Sequence, residues 1–236
     1  KIPKRLEPFT YLNLTDESML EAEISRLLQQ IGISSLSHSH SKLSHKPKLL
    51  STYRLPETSG HLFGREKQLQ EITQAWEDPH AKLITYVAQG GEGKTALIRR
   101  WLNELEKQDF DGAHNVYAWS FYSQGASQDR QISSRPFLDD ALREFGDPEM
   151  AAGKDSDETK ARRLATLIRQ NKTLLILDGM EPLQYPPGEP HNGRLHDGGI
   201  RTLLKELAAS NNGLCIVSTR VWIAELDSFK GQGVVQ

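Results

Sequence analysis

The sequence lacks the features that mark several common classes of protein. Its 236 residues include one cysteine, Cys215, so an internal disulfide is excluded and a reducing compartment is favoured. The longest apolar runs, such as 173–177, have the length of a buried strand and are too short to span a bilayer. The net charge is only −2, which indicates neither a nucleic-acid-coating protein nor a disordered chain. We therefore expect a cytoplasmic protein that binds neither a membrane nor nucleic acid. We also expect the thiol of Cys215 to lie in the core.

Changes in composition divide the chain into three parts. Residues 1–32 predict a short strand and one amphipathic helix, which together are either the tail of a preceding domain or a unit that packs on the main one. Residues 33–58 are rich in Ser, His and Pro and predict a linker. Residues 59–236 predict one α/β domain. Because the chain starts without Met and stops within an incipient strand, we expect it to be a piece of a longer protein.

One stretch organises the rest of the chain. Residues 88–95 read Ala-Gln-Gly-Gly-Glu-Gly-Lys-Thr, with an apolar run before them and a helix-forming run after them. Strand, glycine-rich loop, Lys-Thr and helix is the layout of a phosphate-binding loop. Lys94 can reach the β- and γ-phosphates of a nucleotide, and the Thr95 hydroxyl can bind Mg²⁺. The pattern departs from the usual one only in Ala88, which replaces the first glycine.

A second stretch supplies acidic groups. Residues 173–177 run without alternation into Asp178, as expected for a parallel strand that is covered on both faces. At the end of that strand, Asp178 can complement Thr95 in holding Mg²⁺, and Glu181 can orient or deprotonate an attacking water. A plain Asp-Gly turn would explain Asp178 equally well if the phosphate-binding loop were absent.

Two further features complete the set. Another apolar strand, 214–220, places Arg220 at the same edge of the sheet, where a guanidinium can contact a γ-phosphate; the alternative is a surface arginine. Upstream, residues 63–66 read Phe-Gly-Arg-Glu and precede a helix. Alone, they indicate no more than a turn and a surface charge.

Taken together, these motifs resemble the STAND class of signal-transducing P-loop NTPases, which contains the NACHT and NB-ARC switch proteins. The matching pieces are Phe-Gly-Arg-Glu (63–66), Gly-Gly-Glu-Gly-Lys-Thr (90–95), Leu-Asp-Gly-Met-Glu (177–181) and Ser-Thr-Arg (218–220). Residues 119–125 and 178–184 look particularly like bacterial members. The resemblance covers about residues 60–236, and residues 1–32 are faintly similar to the last strand and helix of a TIR-type effector domain, although the tail of another effector would look alike.

The resemblance implies roles for individual residues. Those implied to contact the nucleotide, ATP or ADP, are Phe63, Arg65, Gly90, Gly91, Glu92, Gly93, Lys94, Thr95 and Ala96. Those implied to be catalytic are Lys94, Asp178, Glu181 and Arg220, and the implied Mg²⁺ ligands are Thr95 and Asp178. The resemblance stops before the family's helical and winged-helix parts, which carry a further phosphate-contacting histidine. Together with Ala88, this implies weak binding or slow hydrolysis.

The predicted fold is a doubly wound, mostly parallel sheet of the P-loop NTPase type. Counting from the phosphate-loop strand, its order is 5-1-4-3-2, with strand 213–220 between the phosphate-loop strand and the strand that ends at Asp178. The predicted function is an ATP/ADP switch of a bacterial signalling or antiviral defence protein. Slow ATP hydrolysis would reset it, a downstream domain would sense a protein trigger, and homo-oligomerisation would activate an N-terminal effector, which for a TIR-type domain implies NAD cleavage.

Two other hypotheses remain open at this stage. One is a turnover ATPase, such as an AAA+ remodeller or DNA motor, although the sequence has no basic stripe and no evident arginine-finger segment. The other is an interaction module with a decayed nucleotide site, against which the intact Lys94, Thr95 and Asp178 count.

Overall fold

The computed structural model describes residues 46–58, 64–122, 133–186, 188 and 191–235. Every described residue lies within one compact unit of the chain, Ser44–Gln236. The strand and helix predicted within residues 1–32, the first half of the predicted linker (33–45), and Phe63 therefore lie outside the described residues.

In the described part of the chain, six parallel strands form a single sheet. They are β1 (Leu49–Ser51), β2 (Leu83–Val87), β3 (Asn115–Ser120), β4 (Thr173–Asp178), β5 (Leu214–Thr219) and β6 (Val234–Val235). Their order across the sheet is β6-β2-β5-β4-β3-β1. Because each pair of neighbouring strands is parallel, the described strands present all their carboxyl ends at one edge.

The first five strands of this order are those that the sequence predicts, with β5 between β2 and β4, so the predicted α/β fold is confirmed. The structure adds one strand. Leu49–Ser51, within the predicted linker 33–58, pairs with Asn115–Tyr117 of β3. The linker prediction is corrected at these three residues, because their backbone groups complete the edge of the sheet even though the surrounding composition is that of a loop.

Helices cover both faces of the sheet. They are α1 (Glu66–Glu77), α2 (Lys94–Glu106), α3 (Arg135–Glu144), α4 (Pro148–Ala152), α5 (Asp157–Arg169) and α6 (Gly198–Ala209), with short 3₁₀ turns at Asp109–Gly112, Glu181–Leu183 and Ala224–Phe229. Side chains of α1 and α2 pack on one face, and those of α3, α5 and α6 pack on the other. This arrangement is the doubly wound architecture.

Alternate residues of each central strand enter opposite cores. In β5, Leu214 and Ile216 join the core under α1 and α2, whereas Cys215 and Val217 join the core under α3, α5 and α6. A strand with both faces buried must be apolar throughout, which explains the unbroken apolar runs in the sequence. Burial raises the pKa of the Cys215 thiol, and the predicted core thiol is confirmed.

The same alternation prepares the site. Ser120 pairs with Asp178 across β3 and β4, and Leu177 pairs with Val217, which brings Ser218 level with Asp178. By the two-residue period, Ser120, Asp178 and Ser218 continue the face that α2 covers. Three polar side chains therefore stand in a row beneath the start of α2.

Within the part of the chain that the structure describes, no helix has both the length and the apolar character that crossing a membrane requires.

Candidate functional site: a phosphate-binding loop at the carboxyl edge of the sheet

Glycines shape the loop that joins β2 to α2. Gly91 and Gly93 have φ of 84° and 79°, in the left-handed region that favours glycine. Gly93 is also the N-cap of α2 and contributes no side-chain cap, so the N–H groups of the first turn of α2 are available to a ligand. A helix N-terminus with free N–H groups and a left-handed glycine ahead of it is a ready-made binding site for a phosphate.

Ala88 is accommodated without strain. Among the described non-glycine residues, only Asp109, Phe110 and Asp111 have positive φ, so the conformation of Ala88 does not require glycine. Its N–H donates to the carbonyl oxygen of Thr219 at 3.2 Å, which joins the end of β2 to the end of β5. The backbone at this position therefore accepts alanine where the motif usually has its first glycine.

Lys94 turns back over the loop. Its Nζ donates to the carbonyl oxygens of Ala88 and of Gln89, the latter at 3.1 Å. Burial lowers the pKa of the Lys94 ammonium; Glu181 opposes this shift, and the nearby charge of Arg220 adds to it. A partly desolvated cation that contacts only neutral carbonyl groups is stabilised when an anionic phosphate binds to it.

Asp178 lies in the row of hydroxyl groups beneath α2. It is 1% exposed and accepts hydrogen bonds from three side chains. The Thr95 hydroxyl lies 2.9 and 3.0 Å from its two carboxylate oxygens, the Ser218 hydroxyl 2.6 Å from Oδ1, and the Ser120 hydroxyl 3.3 Å from Oδ2. The predicted juxtaposition of Thr95 and Asp178 is thus present, with two serines added to it.

These residues fit Mg²⁺. No cluster of three or more His, Cys, Asp or Glu side chains that would suit a metal occurs among the described residues, so an all-protein metal cage is not present there. Mg²⁺ instead takes one or two protein oxygens and completes its shell with waters and phosphate oxygens. The Thr95 hydroxyl and the Asp178 carboxylate, side by side at the end of the phosphate-binding loop, are that kind of donor set.

Glu181 and Arg220 face each other across the loop. Glu181 opens the 3₁₀ turn after β4, and Arg220 follows the last residue of β5. Arg220 Nε lies 3.6 Å from Glu181 Oε1, an ion pair longer than a normal hydrogen bond. The guanidinium also covers Gly90, where a Cβ would lie 3.1 Å from Cζ of Arg220. A side chain at position 90 would press on this guanidinium, so glycine there leaves room for Arg220 to approach the loop.

Both carboxylate oxygens of Glu181 are buried and lack a hydrogen-bond partner in the described part of the chain. Buried carboxylates are normally satisfied, so such a group calls for an explanation. A carboxylate beside a phosphate-binding loop that keeps its acceptor positions unused is suited to receive a hydrogen bond from a water molecule.

Arg65 reaches the loop from the other side. It is the N-cap residue of α1, and its Nη2 donates to the carbonyl oxygen of Glu92 at 2.9 Å. The Glu92 side chain accepts from the N–H of Gln89 at 3.2 Å and so braces the loop internally. Ala96 lies in the first turn of α2. Of the residues predicted at this site, Phe63 alone lies outside the described part of the chain.

Two cavities border this edge of the sheet. The one beside the loop measures about 280 Å³ and is lined by α1, β2 and the start of α2, including Arg65, Lys94 and Leu97. A second cavity of about 550 Å³, lined by Tyr53, Arg54 and Trp119 among others, contains none of the predicted site residues. We assign the site to the smaller cavity because the glycine loop and Lys94 border it.

Sequence reasoning assigned no role to Ser120, Ser218, Tyr122 or Gln184. Gln184 is buried; its Nε2 donates to the carbonyl oxygens of Gly193 and Val221, and its Oε1 accepts from the hydroxyl of Thr219. The signal for the two serines was their place at the ends of buried strands, level with Asp178. Whether these serines lie level with Asp178 depends on the order of the strands in the sheet, which no local sequence pattern encodes.

The fold and this loop define a P-loop NTPase. A sequence model of the NB-ARC domain family matches residues 65–180, which run from Arg65 through the phosphate-binding loop to just beyond Asp178. This part of the chain is therefore an NB-ARC-type, nucleotide-binding P-loop module of the STAND class, as its motifs indicate.

Comparison with other proteins adds little to this identification. No curated protein matches the chain significantly. Among solved structures, the chain is similar to a chain of the E. coli MS115-1 HORMA:CdnC:Trip13 complex, with 12% identity and a TM-score of 0.42, covering 75% of this chain and 63% of that one. It is also similar to a chain of Drosophila ORC bound to DNA, with 8% identity and a TM-score of 0.39; the match covers 71% of this chain and 83% of that one. At these values, neither likeness carries a conclusion about function.

Proposed function

We propose that this chain is the ATP/ADP-binding switch of a bacterial STAND-type signalling or antiviral defence protein. The observation that carries the proposal is the convergence of Lys94, the Thr95–Asp178 pair, Glu181 and Arg220 on one glycine loop. Each stands where a nucleoside triphosphate on that loop would meet it.

The phosphates would lie on the loop and the N-terminus of α2. Lys94 would exchange the carbonyl oxygens of Ala88 and Gln89 for the β- and γ-phosphates. Thr95 and Asp178 would hold Mg²⁺, which when bound neutralises charge that develops on the phosphate oxygens. The base would enter the cavity beside Arg65. The volume of this cavity, about 280 Å³, suits a base and sugar better than a larger ligand.

Hydrolysis would proceed by in-line attack of water on the γ-phosphorus, with ADP as the leaving group. Glu181 would accept a hydrogen bond from the attacking water, and Arg220 would stabilise the negative charge of the γ-phosphoryl oxygens. Because Arg220 now faces Glu181 at 3.6 Å, it must turn toward the nucleotide before both groups can act. We expect slow turnover, suited to resetting a switch.

The remainder of the proposal concerns the whole protein. Residues 1–32 would end an upstream effector domain of TIR type, with NAD cleavage as its activity, and residues 59–236 would be the NTPase domain. A protein trigger sensed downstream would permit exchange of ADP for ATP, and ATP would favour a homo-oligomer in the cytoplasm that activates the effector. The motifs shared with STAND proteins support this assignment.

Calorimetric titration with ATP and ADP, in the presence and absence of Mg²⁺, tests the binding step. We expect binding to both nucleotides and a loss of at least about tenfold in affinity for Lys94→Ala, because a charge-assisted contact to phosphate is removed. Lys67→Ala is the matched control, since Lys67 lies on α1 with 86% of its side chain exposed. Absence of binding in the unaltered protein would favour an interaction module.

Light scattering of the whole protein tests the switch. We expect a larger mass with ATP than with ADP, and no nucleotide-dependent change for Lys94→Ala. The same mass with either nucleotide would contradict the switch and leave binding intact. High turnover stimulated by DNA or by an unfolded protein would favour a motor ATPase.

A further inference from the structure

Tyr122 occupies a position that the proposed reaction leaves unexplained. It follows β3 by two residues and is 50% exposed, although its neighbour Phe121 is buried. Its ring lies against Gly179, where a Cβ would come within 2.2 Å of Cδ2 and 2.4 Å of Cε2. Gly179 has φ of 71°, so glycine is required here both for the turn and for the contact. The aromatic ring is thus seated on the turn that joins Asp178 to Glu181.

Tyr122 lies beside both charged groups of the site, Glu181 and Arg220. Burial, followed by the nearby Glu181 carboxylate, raises the pKa of Tyr122 to about 12, while Arg220 opposes this rise; in the structure the hydroxyl does not complete a hydrogen bond with either carboxylate oxygen of Glu181. The centre of the Tyr122 ring lies 5.9 Å from Cζ of Arg220. Tyrosine, carboxylate and guanidinium therefore form a cluster over the loop.

Glu181 has few groups that can orient it. Its carboxylate oxygens have no hydrogen-bond partner in the described part of the chain, and the nearest cation, Arg220, stands 3.6 Å away. A carboxylate that must direct a water to a phosphorus atom needs a fixed rotamer. If Arg220 turns toward a γ-phosphate, Tyr122, whose ring is seated two residues before Glu181 and beside Arg220, carries a hydroxyl that can take the place of the guanidinium at the carboxylate.

We propose that Tyr122 is a positioning residue, whose hydroxyl holds the Glu181 carboxylate in the orientation for hydrolysis once Arg220 engages the nucleotide. The proposal rests on the proposed function, because it assigns Tyr122 a role in that same reaction. Seating of the ring on Gly179 fixes the hydroxyl, and the hydroxyl in turn fixes the carboxylate. Tyr122 touches neither the nucleotide nor the water in this scheme.

Tyr122→Phe in the whole protein separates the hydroxyl from the ring, because phenylalanine keeps the contact with Gly179. We expect kcat for ATP hydrolysis to fall about tenfold, the scale of a hydrogen bond to a charged group, with the affinity for ATP unchanged. Tyr53→Phe is the control, since Tyr53 is a more exposed tyrosine whose hydroxyl contacts Arg54. An unchanged kcat for Tyr122→Phe would overturn the inference.

A double-mutant cycle identifies the partner. If Tyr122 acts through Glu181, then Tyr122→Phe has no further effect on single-turnover hydrolysis in a Glu181→Gln background. Independent, additive losses would overturn the inference, because they would mean that Tyr122 acts elsewhere.

A measurement without nucleotide completes the test. In protein labelled with ¹³C-tyrosine, we expect the Cζ resonance of Tyr122 to shift on Glu181→Gln, and that of Tyr53 to stay in place. A stationary Tyr122 resonance would overturn the inference. Failure of the unaltered protein to bind nucleotide would overturn the proposed function itself, whereas binding and Lys94-dependent hydrolysis with full activity in Tyr122→Phe would overturn the positioning role alone.

Discussion

At the scale of single residues, the buried carboxylate of Asp178 poses the main energetic problem. An ionised group that is almost fully removed from water is costly unless hydrogen bonds replace its hydration. Hydroxyl groups of Thr95, Ser120 and Ser218 supply that replacement here. Ser218 does more, because its Oγ also accepts the N–H of Gly179 at 2.9 Å and thereby fixes the turn that leads to Glu181.

Ser218→Ala should therefore destabilise the fold more than its size suggests. It removes the shortest hydrogen bond to Asp178 and leaves the buried N–H of Gly179 without its acceptor, so we expect a loss of about 1–3 kcal/mol in the free energy of unfolding. Urea unfolding gives this value. Ser120→Ala is the comparison, since its bond to Asp178 is longer, at 3.3 Å, and should cost less; equal losses would contradict this ranking.

The sequence predicted the residues of this site better than their supporting partners. Lys94, Thr95 and Asp178 belong to motifs with fixed spacing, and the structure brings them together at the loop. Ser218 and Tyr122 carry no comparable spacing. Their partners come from other strands, so their contacts depend on the order of strands in the sheet and on the packing of a ring against one glycine.

At the scale of secondary-structure elements, helix caps join neighbouring segments. Asp197 is the N-cap of α6: its carboxylate accepts from the N–H of Ile200 at 2.8 Å. It also accepts from the hydroxyl of Ser134 at 2.6 Å and from the N–H of Ser134 at 2.8 Å. Ser134 is the N-cap of α3, so one carboxylate ties the starts of two helices.

Asp197→Ala should loosen both helices. Three buried donors lose their acceptor, and we expect a loss of about 2–4 kcal/mol in the free energy of unfolding, more than an isolated cap contributes. Ser156→Ala provides the control, because Ser156 caps α5 in an exposed setting through a single backbone bond at 3.3 Å. Equal destabilisation by the two variants in urea would show that the link to Ser134 contributes nothing.

A second cap gives a dependence on pH. Asp147 caps the short helix α4 by accepting from the N–H of Met150 at 3.1 Å, and it pairs with Nε of Arg163 at 2.5 Å. These two contacts, the one with Arg163 first, lower the pKa of Asp147. A lowered carboxyl pKa adds stability above the unfolded-state value of about 3.9, and this stability is lost as pH falls through the folded-state pKa.

Asp147→Asn keeps the cap and removes the ion pair. At neutral pH we expect the melting temperature to fall by about 1–3 °C, as for a single partly exposed pair. The difference from the unaltered protein should vanish in acid, once the pH lies below the folded-state pKa and the native carboxyl is protonated too. Thermal unfolding monitored by circular dichroism at both pH values measures this, and a difference that persists in acid would point to the cap and not to the charge.

Element prediction failed at the shortest elements. The stretch 146–157, with two glycines and three aspartates, has the composition of a loop, yet the structure forms α4 there; an N-cap Asp147 followed by Pro148 at the first helical position was an available signal. For β1 no local signal existed. Three residues in a Ser-, His- and Pro-rich stretch become a strand only because β3 offers them an open edge.

At the scale of the whole molecule, the strand order decides what the site contains. Periodicity predicts which segments are strands, but the order β2-β5-β4-β3 came from the resemblance to STAND proteins. That order brings Thr219 beside the loop, Ser218 beside Asp178 and Arg220 beside Gly90. A sheet with β5 at its edge would keep every motif and lose the cluster, so motif spacing alone could not have predicted the geometry.

A nucleotide that binds at this cluster should stabilise the whole fold, since the loop and Asp178 connect β2, β3, β4 and β5 with α2. With MgATP at about 100 times its dissociation constant, linkage predicts a gain of about 2.7 kcal/mol in the free energy of unfolding. Chemical unfolding with and without the nucleotide measures the gain. We expect Lys67→Ala, an exposed charge change on α1, to retain it and Lys94→Ala to lose most of it, because Lys94 is the cation that the loop holds for phosphate. An undiminished gain in Lys94→Ala would mean that the stabilising ligand binds elsewhere on the protein.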